Sequence, residues 1–250
     1  MKKLYSGFYT AASGMLTQQR VLNVLGNNLT NQNTPGYQAE RVVSSTFDYE
    51  YAIRREAYGN VLLGSTSPIR TVSEVPVNFA ADYLEETGRN MDLAIDGAGF
   101  FNVQSEDGRI FLTRNGNFEI DGEGYLSLKG YGRVLGENGL IPVRSSDFIA
   151  AGDGTLYSAD GEALGKLRIS APAADQLSKT ANGMYTLRGG ENPPYEDARL
   201  VQGSLCASNV DMQRELTQVM EAQRAFQACS NAVRTMYQMD QKSATKIAVL

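Results

Sequence analysis

Residues 4–37 read LYSGFYTAASGMLTQQRVLNVLGNNLTNQNTPGY, and this stretch decides how the rest of the chain is organised. Its mainly apolar positions recur alternately four and three residues apart, which places their side chains on one narrow face of a helix. A narrow apolar face on a helix of about 40 Å cannot bury itself, so the helix requires a partner. The positions of this face are Leu4, Phe8, Ala11, Met15, Gln18, Leu22, Leu25 and Leu29.

The same spacing returns at the other end of the chain. We predict that this second helix pairs with the first as an antiparallel coiled coil. In the predicted register Leu29 lies beside Met212 and Gln18 beside Gln223, because two facing amides satisfy each other's hydrogen bonds. The alternative is that both glutamines are solvated at the edge of the contact. The second face comprises Met212, Leu216, Val219, Gln223, Phe226, Ser230, Val233, Tyr237, Asp240, Ala244 and Ile247.

A polar stop follows the first helix. Asparagines at positions 27, 28, 31 and 33 compete with the backbone for hydrogen bonds, and Pro35-Gly36 predicts a turn. This turn would set the direction in which the chain leaves the helix. We predict that subunits assemble through the two helix faces and the turn. From the second face, Ser230, Asp240, Ala244 and Ile247 are excluded, and the turn residues are Asn33, Pro35, Gly36 and Tyr37.

The middle of the chain carries a different pattern. Short apolar runs are separated by acid-Gly and Asn-Gly pairs, which supply the backbone conformations of tight hairpins and predict an antiparallel β domain. A short return strand at 200–205 follows, and Ser208 or Asn209 would cap the last helix. The expected strands are 92–96, 99–104, 109–114, 117–120, 124–128, 133–135, 141–143, 155–158, 164–170 and 183–187.

These patterns together predict an α+β fold with long N- and C-terminal helices and a central all-β domain. Residues 38–87 contain no pattern that sets a strand register, so we interpret them as an extended connector. The predicted domains are 1–37, the N-terminal helix and turn; 38–87, the connector; 88–200, the β domain; and 201–250, the return segment and C-terminal helix.

Composition and charge argue against several function classes. The 250 residues carry a formal charge of −5 and no histidine, which removes the commonest general base and metal ligand. The acidic middle argues against nucleic acid as a partner. An enzyme with Asp92 and Asp96 as a carboxylate pair is the competing class, but these residues are expected on solvated strand faces or in turns. We predict no catalytic, cofactor or metal site and no small-molecule substrate.

Two further features bear on the cellular compartment. Cys206 and Cys229 do not make a disulfide framework and are interpreted as small packing residues. No run of residues approaches the length of a membrane span. Ser6, Gly7 and Thr10 interrupt the apolar core that a cleavable signal peptide needs, so we expect none.

Several motifs resemble those of the bacterial flagellar rod and hook protein family. NQNTPGY at 31–37 follows AASGM at 11–15, and NMDLAIDGAGFF at 90–101 with TRNGNF at 113–118 is similar to the central β domain of that family. QGSL at 202–205, SNV at 208–210 and QRAF at 223–226 resemble the C-terminal segment of the family. Cys206 departs from the acidic residue that is common there.

The resemblance implies a structural subunit of the flagellar basal-body rod, whose terminal helices polymerise into the axial tube that transmits torque from motor to hook. It implies as partners the chain itself, other rod and hook axial proteins and the flagellar type III export apparatus. The implied location is extracytoplasmic, and periplasmic in a two-membrane cell. The stretch at 133–143 favours a proximal-rod type. The alternatives are a hook or distal-rod subunit, or a secreted coiled-coil scaffold or adhesive protein.

Overall fold

The computed structural model describes residues 2–46, 50–56, 59–66, 70–74, 83–180, 183–189, 192–195 and 197–247. Side chains are described for residues 7–43 and from residue 83 onward within these ranges, except 175, 244, 246 and 247. The chain divides into two compact units. The helical unit comprises Met1–Thr30, Glu40–Asn78 and Asp211–Leu250, and the β unit comprises Asn31–Ala39 and Phe79–Val210.

Two long helices dominate the helical unit. Helix α1 spans Lys2–Thr30 and helix α2 spans Met212–Ile247, close to the bounds predicted from the apolar spacing. Asp211 caps α2, because its Oδ1 accepts hydrogen bonds from the backbone N–H groups of Gln213 and Arg214 at 3.0 and 3.3 Å. The prediction that Ser208 or Asn209 caps this helix is therefore wrong.

The helical unit also contains two strand pairs in the segment that we predicted to be an extended connector. Its strands are β1 (Val43–Thr46), β2 (Glu50–Glu56), β3 (Gly59–Thr66) and β4 (Arg70–Glu74). Strand β1 pairs with β4, and β2 pairs with β3, both antiparallel. No sequence pattern predicted a register here, and in both pairs the register shifts at one position, which breaks simple alternation.

The β unit contains the remaining strands among the described residues. These are β5 (Leu84–Glu86), β6 (Leu93–Asp96), β7 (Phe100–Gln104), β8 (Ile110–Thr113), β9 (Phe118–Ile120), β10 (Leu126–Leu128), β11 (Gly132–Gly136), β12 (Gly139–Leu140), β13 (Phe148–Ala150), β14 (Thr155–Ser158), β15 (Ala163–Lys166), β16 (Ile169–Ser170), β17 (Leu177–Lys179), β18 (Tyr185–Leu187), β19 (Arg199–Gln202) and β20 (Ser204–Cys206). A 3₁₀ turn, Ala174–Gln176, precedes β17.

One large antiparallel sheet forms the centre of the β unit. Its strand order is β17-β18-β8-β7-β11-β10-β9, with β12 paired to β11 and β16 paired to β7. A second sheet has the order β13-β14-β15, and β6 pairs with β19 while β5 pairs with β20. The core contains Phe101 and Phe118, whose ring centroids lie 5.1 Å apart edge to face. The prediction of a central antiparallel β domain is confirmed.

Most predicted strands occur within two residues of their predicted bounds, and 155–158 matches β14 at both ends. The prediction at 141–143 is wrong, because β12 ends at Leu140 and Pro142 makes only an isolated bridge to Tyr125. Proline has no N–H group to continue a ladder. The predicted strand 164–170 is divided into β15 and β16, and the return strand 200–205 is divided into β19 and β20. Within the β unit, strands β5, β12, β13 and β17 were not predicted.

Candidate functional site

The two terminal helices contact each other through small residues. A Cβ atom at Gly14 would lie 3.2 Å from the Cys229 Sγ atom, and one at Gly7 would lie 3.0 Å from the Met236 Cε atom. Glycine at these positions lets the helix backbones approach closely. Relative to the predicted register, in which Gly14 would lie opposite residue 227, the observed contacts are displaced by two residues.

The displaced contacts turn part of the predicted helix faces toward solvent. Phe8, Met212, Leu216 and Tyr237 are 39% to 66% exposed, and Gln223, for which solvation at the edge of the contact was the alternative, is also exposed. The close approach at the two glycines selects the neighbouring stripe of each helix, where Thr17, Val24, Asn28, Glu215 and Ala222 are buried.

The other predicted face positions differ in their burial. Leu25 is buried, and the side chain of Leu4 lies outside the described residues, as do those of Ala244 and Ile247. Asp240 is exposed. The half-buried positions are Ala11, Met15, Gln18, Leu22, Leu29, Val219, Phe226, Ser230 and Val233.

Asn28 occupies a central position in the helical unit. Its side chain is 0% exposed, and its Nδ2 donates to the Glu40 carbonyl oxygen at 2.9 Å and to Glu215 Oε2 at 3.3 Å. Its Oδ1 accepts a hydrogen bond from the Glu40 backbone N–H at 3.0 Å. Asn28 therefore binds both polar groups of one peptide segment and a buried carboxylate of α2. The sequence indicated Asn28 only as a helix breaker.

The predicted turn after α1 belongs to the β unit. The Tyr37 N–H donates to the Thr34 carbonyl oxygen at 3.2 Å, and Gly36 has a φ of +68°. Proline followed by a residue of positive φ is the pattern of a type II turn. The Gly36 N–H also donates to the Cys206 carbonyl oxygen at 2.7 Å, which joins the turn to β20.

Three side chains hold the segment that follows the turn. Tyr37 is 4% exposed, and the Lys179 Nζ atom lies 3.8 Å from its ring centroid and donates to the Gln38 carbonyl oxygen at 2.8 Å. Asn209 accepts from the Ala39 N–H at 2.7 Å and donates to Gln38 Oε1 at 2.8 Å. Sequence reasoning missed Lys179 and Gln38. No local pattern could reveal them, because Lys179 is 141 residues away from Gln38.

Cys206 and Arg114 are two buried polar groups of the β unit. Arg114 donates to the carbonyl oxygens of Gly99 and Gly97 at 3.0 and 2.6 Å, and burial lowers the pKa of its guanidinium. The Cys206 thiol donates to the Ile95 carbonyl oxygen at 3.7 Å, and burial raises the pKa of this thiol. Both cysteines are free thiols, as expected from their interpretation as packing residues.

An open groove of about 1110 Å³ crosses the large sheet beside β9, β10 and β11. Several of its acidic side chains form ion pairs: Arg133 contacts Asp121 at 2.5 Å and Glu123 at 2.7 Å, and Arg109 contacts Asp107 at 2.8 Å. These cations offset part of the negative charge of the groove.

Asp121 also organises the turn beside this groove. Its carboxylate accepts a hydrogen bond from the Tyr125 N–H, and this bond, followed by the bond from Arg133, lowers the pKa of Asp121. Asp153 has a similar arrangement in the second sheet, where the Thr155 N–H lowers the pKa of the Asp153 carboxyl. Both aspartates stabilise turns through their charged forms.

The described residues do not assemble the carboxylate pair of the competing enzyme hypothesis. Asp92 is 1% exposed and accepts a hydrogen bond from the Thr87 hydroxyl at 2.7 Å, whereas Asp96 is exposed at the end of β6. Among the described residues, no group of three or more His, Cys, Asp or Glu side chains could hold a metal ion. None of the described helices is both long and apolar enough to cross a membrane.

Comparisons with known proteins find flagellar family matches at both ends and in the middle of the chain. Residues 8–38 match the family model described as "Flagella basal body rod protein", and residues 94–156 match "Flagellar hook protein FlgE/F/G D1 domain". Residues 201–247 match "Flagellar basal body rod FlgEFG protein C-terminal". The three matched segments include most of α1, most of the large sheet and α2.

Curated relatives cover almost the whole chain. The flagellar basal-body rod protein FlgG of Bacillus subtilis is 32% identical over 94% of this chain and 95% of its own length. FlgF of Caulobacter vibrioides is 29% identical over 97% of this chain and 98% of its own length. FlgF of Salmonella typhimurium is 28% identical over 87% of each chain.

The fold and the site show buried polar contacts that hold chain segments in place, which is the arrangement expected of a structural protein. The similarity along nearly the full length gives the family: the chain belongs to the flagellar basal-body rod proteins. Members of this family are structural components of the flagellar basal body and are not enzymes.

Proposed function

We propose that this chain is a subunit of the flagellar basal-body rod that polymerises through its terminal helices into the axial tube carrying torque from motor to hook. The observation that carries the proposal is the exposure of large apolar side chains on both helices. Leu16 is 64% exposed on α1, and Met220 and Tyr237 are 53% and 66% exposed on α2. Apolar side chains repeated along a helix favour burial against another molecule.

The antiparallel coiled coil of α1 and α2 is part of this proposal. Two contacts support it, because Gly7 lies beside Met236 while Asn28, near the other end of α1, binds Glu215 near the start of α2. The predicted assembly residues then have two roles. Half-buried positions such as Leu22 and Phe226 would stabilise the helix pair, and exposed positions such as Phe8 would contact neighbouring subunits.

The partners follow from the family and from the proposed assembly. We infer contacts with further copies of this chain and with other rod and hook axial proteins, and delivery by the flagellar export apparatus to an extracytoplasmic site. No role for nucleic acid or a small-molecule substrate is included. The predicted domain limits stay part of this proposal as segments of sequence, although residues 31–39, 79–87 and 201–210 lie in the β unit and the connector contains strand pairs. The proximal-rod type stays a prediction, since relatives named FlgG and FlgF both match along the chain.

Surface variants of the full-length chain test the proposal. Tyr237→Lys and Leu16→Lys place a charge on each helix, and Ile149→Lys is the control, because Ile149 is 61% exposed on β13. In a strain that lacks its own copy, the wild-type chain and the control should restore basal bodies visible by electron microscopy, and the helix variants should not. Equal restoration by all three variants would contradict assembly through the helices.

A further inference from the structure

The polypeptide passes from the β unit to the helical unit at the peptide bond between Ala39 and Glu40. Each side of this bond is held by an asparagine within its own unit. Asn209 binds the Ala39 N–H at 2.7 Å in the β unit, and Asn28 binds both backbone polar groups of Glu40 at 2.9 and 3.0 Å in the helical unit. The residue after Asn209, Val210, is the last of the β unit before the chain enters the helical unit again.

Asn28 binds the backbone as a section of a neighbouring strand would, and Asn209 binds one backbone group and one side chain. An amide side chain presents one donor and one acceptor, as a peptide group does. Asn28 uses both toward one residue, whereas Asn209 accepts from Ala39 and donates to Gln38 Oε1. Because Gln38 and Asn28 are 0% exposed, water cannot readily replace these hydrogen bonds.

Further contacts strengthen each attachment. In the β unit, the Lys179 ammonium group donates to the Gln38 carbonyl oxygen and lies over the Tyr37 ring. In the helical unit, Asn28 also donates to the buried Glu215 carboxylate of α2. Hydrogen bonds to charged groups are stronger than neutral ones. The β-unit end is therefore attached to residues distant in sequence, and the helical-unit end is connected to α2 through Asn28.

We propose that Asn28 and Asn209 are mechanical anchors, which fasten the two ends of the Ala39–Glu40 crossing so that load along the chain does not peel the neighbouring segments from their units. This inference rests on the proposed function, because a rod subunit that carries torque experiences such load. The anchors are positioning residues. Their removal should reduce swimming under load, while assembly at low load continues.

Hydrogen exchange of the full-length chain tests the anchoring itself. Asn209→Ala should accelerate exchange of the Ala39 amide about tenfold and leave the Glu40 amide unchanged. Asn28→Ala should accelerate exchange of the Glu40 amide about tenfold and leave the Ala39 amide unchanged. Asn209→Asp keeps the acceptor oxygen, so the Ala39 amide should stay protected. The matched control is Asn138→Ala, at an exposed turn position, which should change neither amide. Unchanged exchange in Asn209→Ala would overturn the proposal without requiring any assay of assembly.

Swimming under load tests the mechanical role. In a strain lacking its own copy, the Asn209→Ala and Asn28→Ala chains should restore basal bodies and near-normal swimming in dilute buffer. In a viscous medium their speed should fall at least about twofold below the Asn138→Ala control, and Asn209→Asp should recover most of it. Equal speeds at every viscosity, or a failure to form basal bodies, would overturn the mechanical role. If the wild-type chain restores no basal bodies, the proposed function fails while the exchange result stands.

Discussion

Replacing Gly36 by alanine tests how the turn after α1 is held. Gly36 has a φ of +68°, and a Cβ atom there would lie 2.5 Å from the Arg114 carbonyl oxygen and still closer to the Arg114 carbonyl carbon and the Asn115 nitrogen. The left-handed conformation costs alanine roughly 1–2 kcal/mol. Relief of the overlap requires a backbone shift that costs about 1–3 kcal/mol more. The unfolding free energy should therefore fall by about 2–5 kcal/mol.

The chain supplies a matched control for this substitution. Gly88 has a φ of +71°, and a Cβ atom there would meet no other atom within 4 Å, so Gly88→Ala should lose only the conformational part, about 1–2 kcal/mol. Urea unfolding of both full-length variants, followed by circular dichroism and tyrosine fluorescence, measures the difference, since the chain has no tryptophan. Equal losses in the two variants would refute the close contact between the turn and the residues that follow β8.

Three further predictions concern the cysteines, a turn carboxylate and the helix contact. At pH 8 an aromatic disulfide reagent should modify Cys229 faster than Cys206, since burial raises the pKa of the Cys206 thiol and reduces its thiolate fraction, and equal rates would contradict this. The pKa of Asp121 is lowered in the folded chain, so its contribution to stability is present above the unfolded pKa of about 3.9 and is lost as the pH falls through the folded pKa. Asp121→Asn should therefore show a smaller loss of stability than the wild type when unfolding is measured from pH 5 to pH 2. Gly14→Leu should lower the unfolding free energy by about 1–3 kcal/mol, whereas Gly26→Leu, with no atom near its Cβ position, should not.

The apolar spacing at the chain ends was sufficient to predict two long helices, because a helix repeats every 3.6 residues and that period is visible in one sequence. The acid-Gly and Asn-Gly pairs predicted the antiparallel β domain for a similar reason, since tight hairpins require particular residues. The family motifs predicted the class of protein, and the comparisons confirm it.

Only the tertiary structure decided which stripe of each helix is buried. The spacing of Phe8 and Met212 is compatible with a helix contact, but the close approach at Gly7 and Gly14 selects the adjacent stripe and leaves these apolar side chains exposed. The spacing of apolar residues in the sequence shows which side chains share a helix face. The neighbour that covers this face depends on side-chain size and on hydrogen bonds such as that between Asn28 and Glu215.

The same distinction applies to the turn and the crossing. The sequence determined that Pro35-Gly36 turns the chain, because proline and glycine restrict or permit particular backbone angles within a few residues. It did not determine that Asn209 and Lys179 hold the segment after the turn, because these residues lie more than 140 positions away along the chain. Contacts of that separation arise only when the whole β unit has folded.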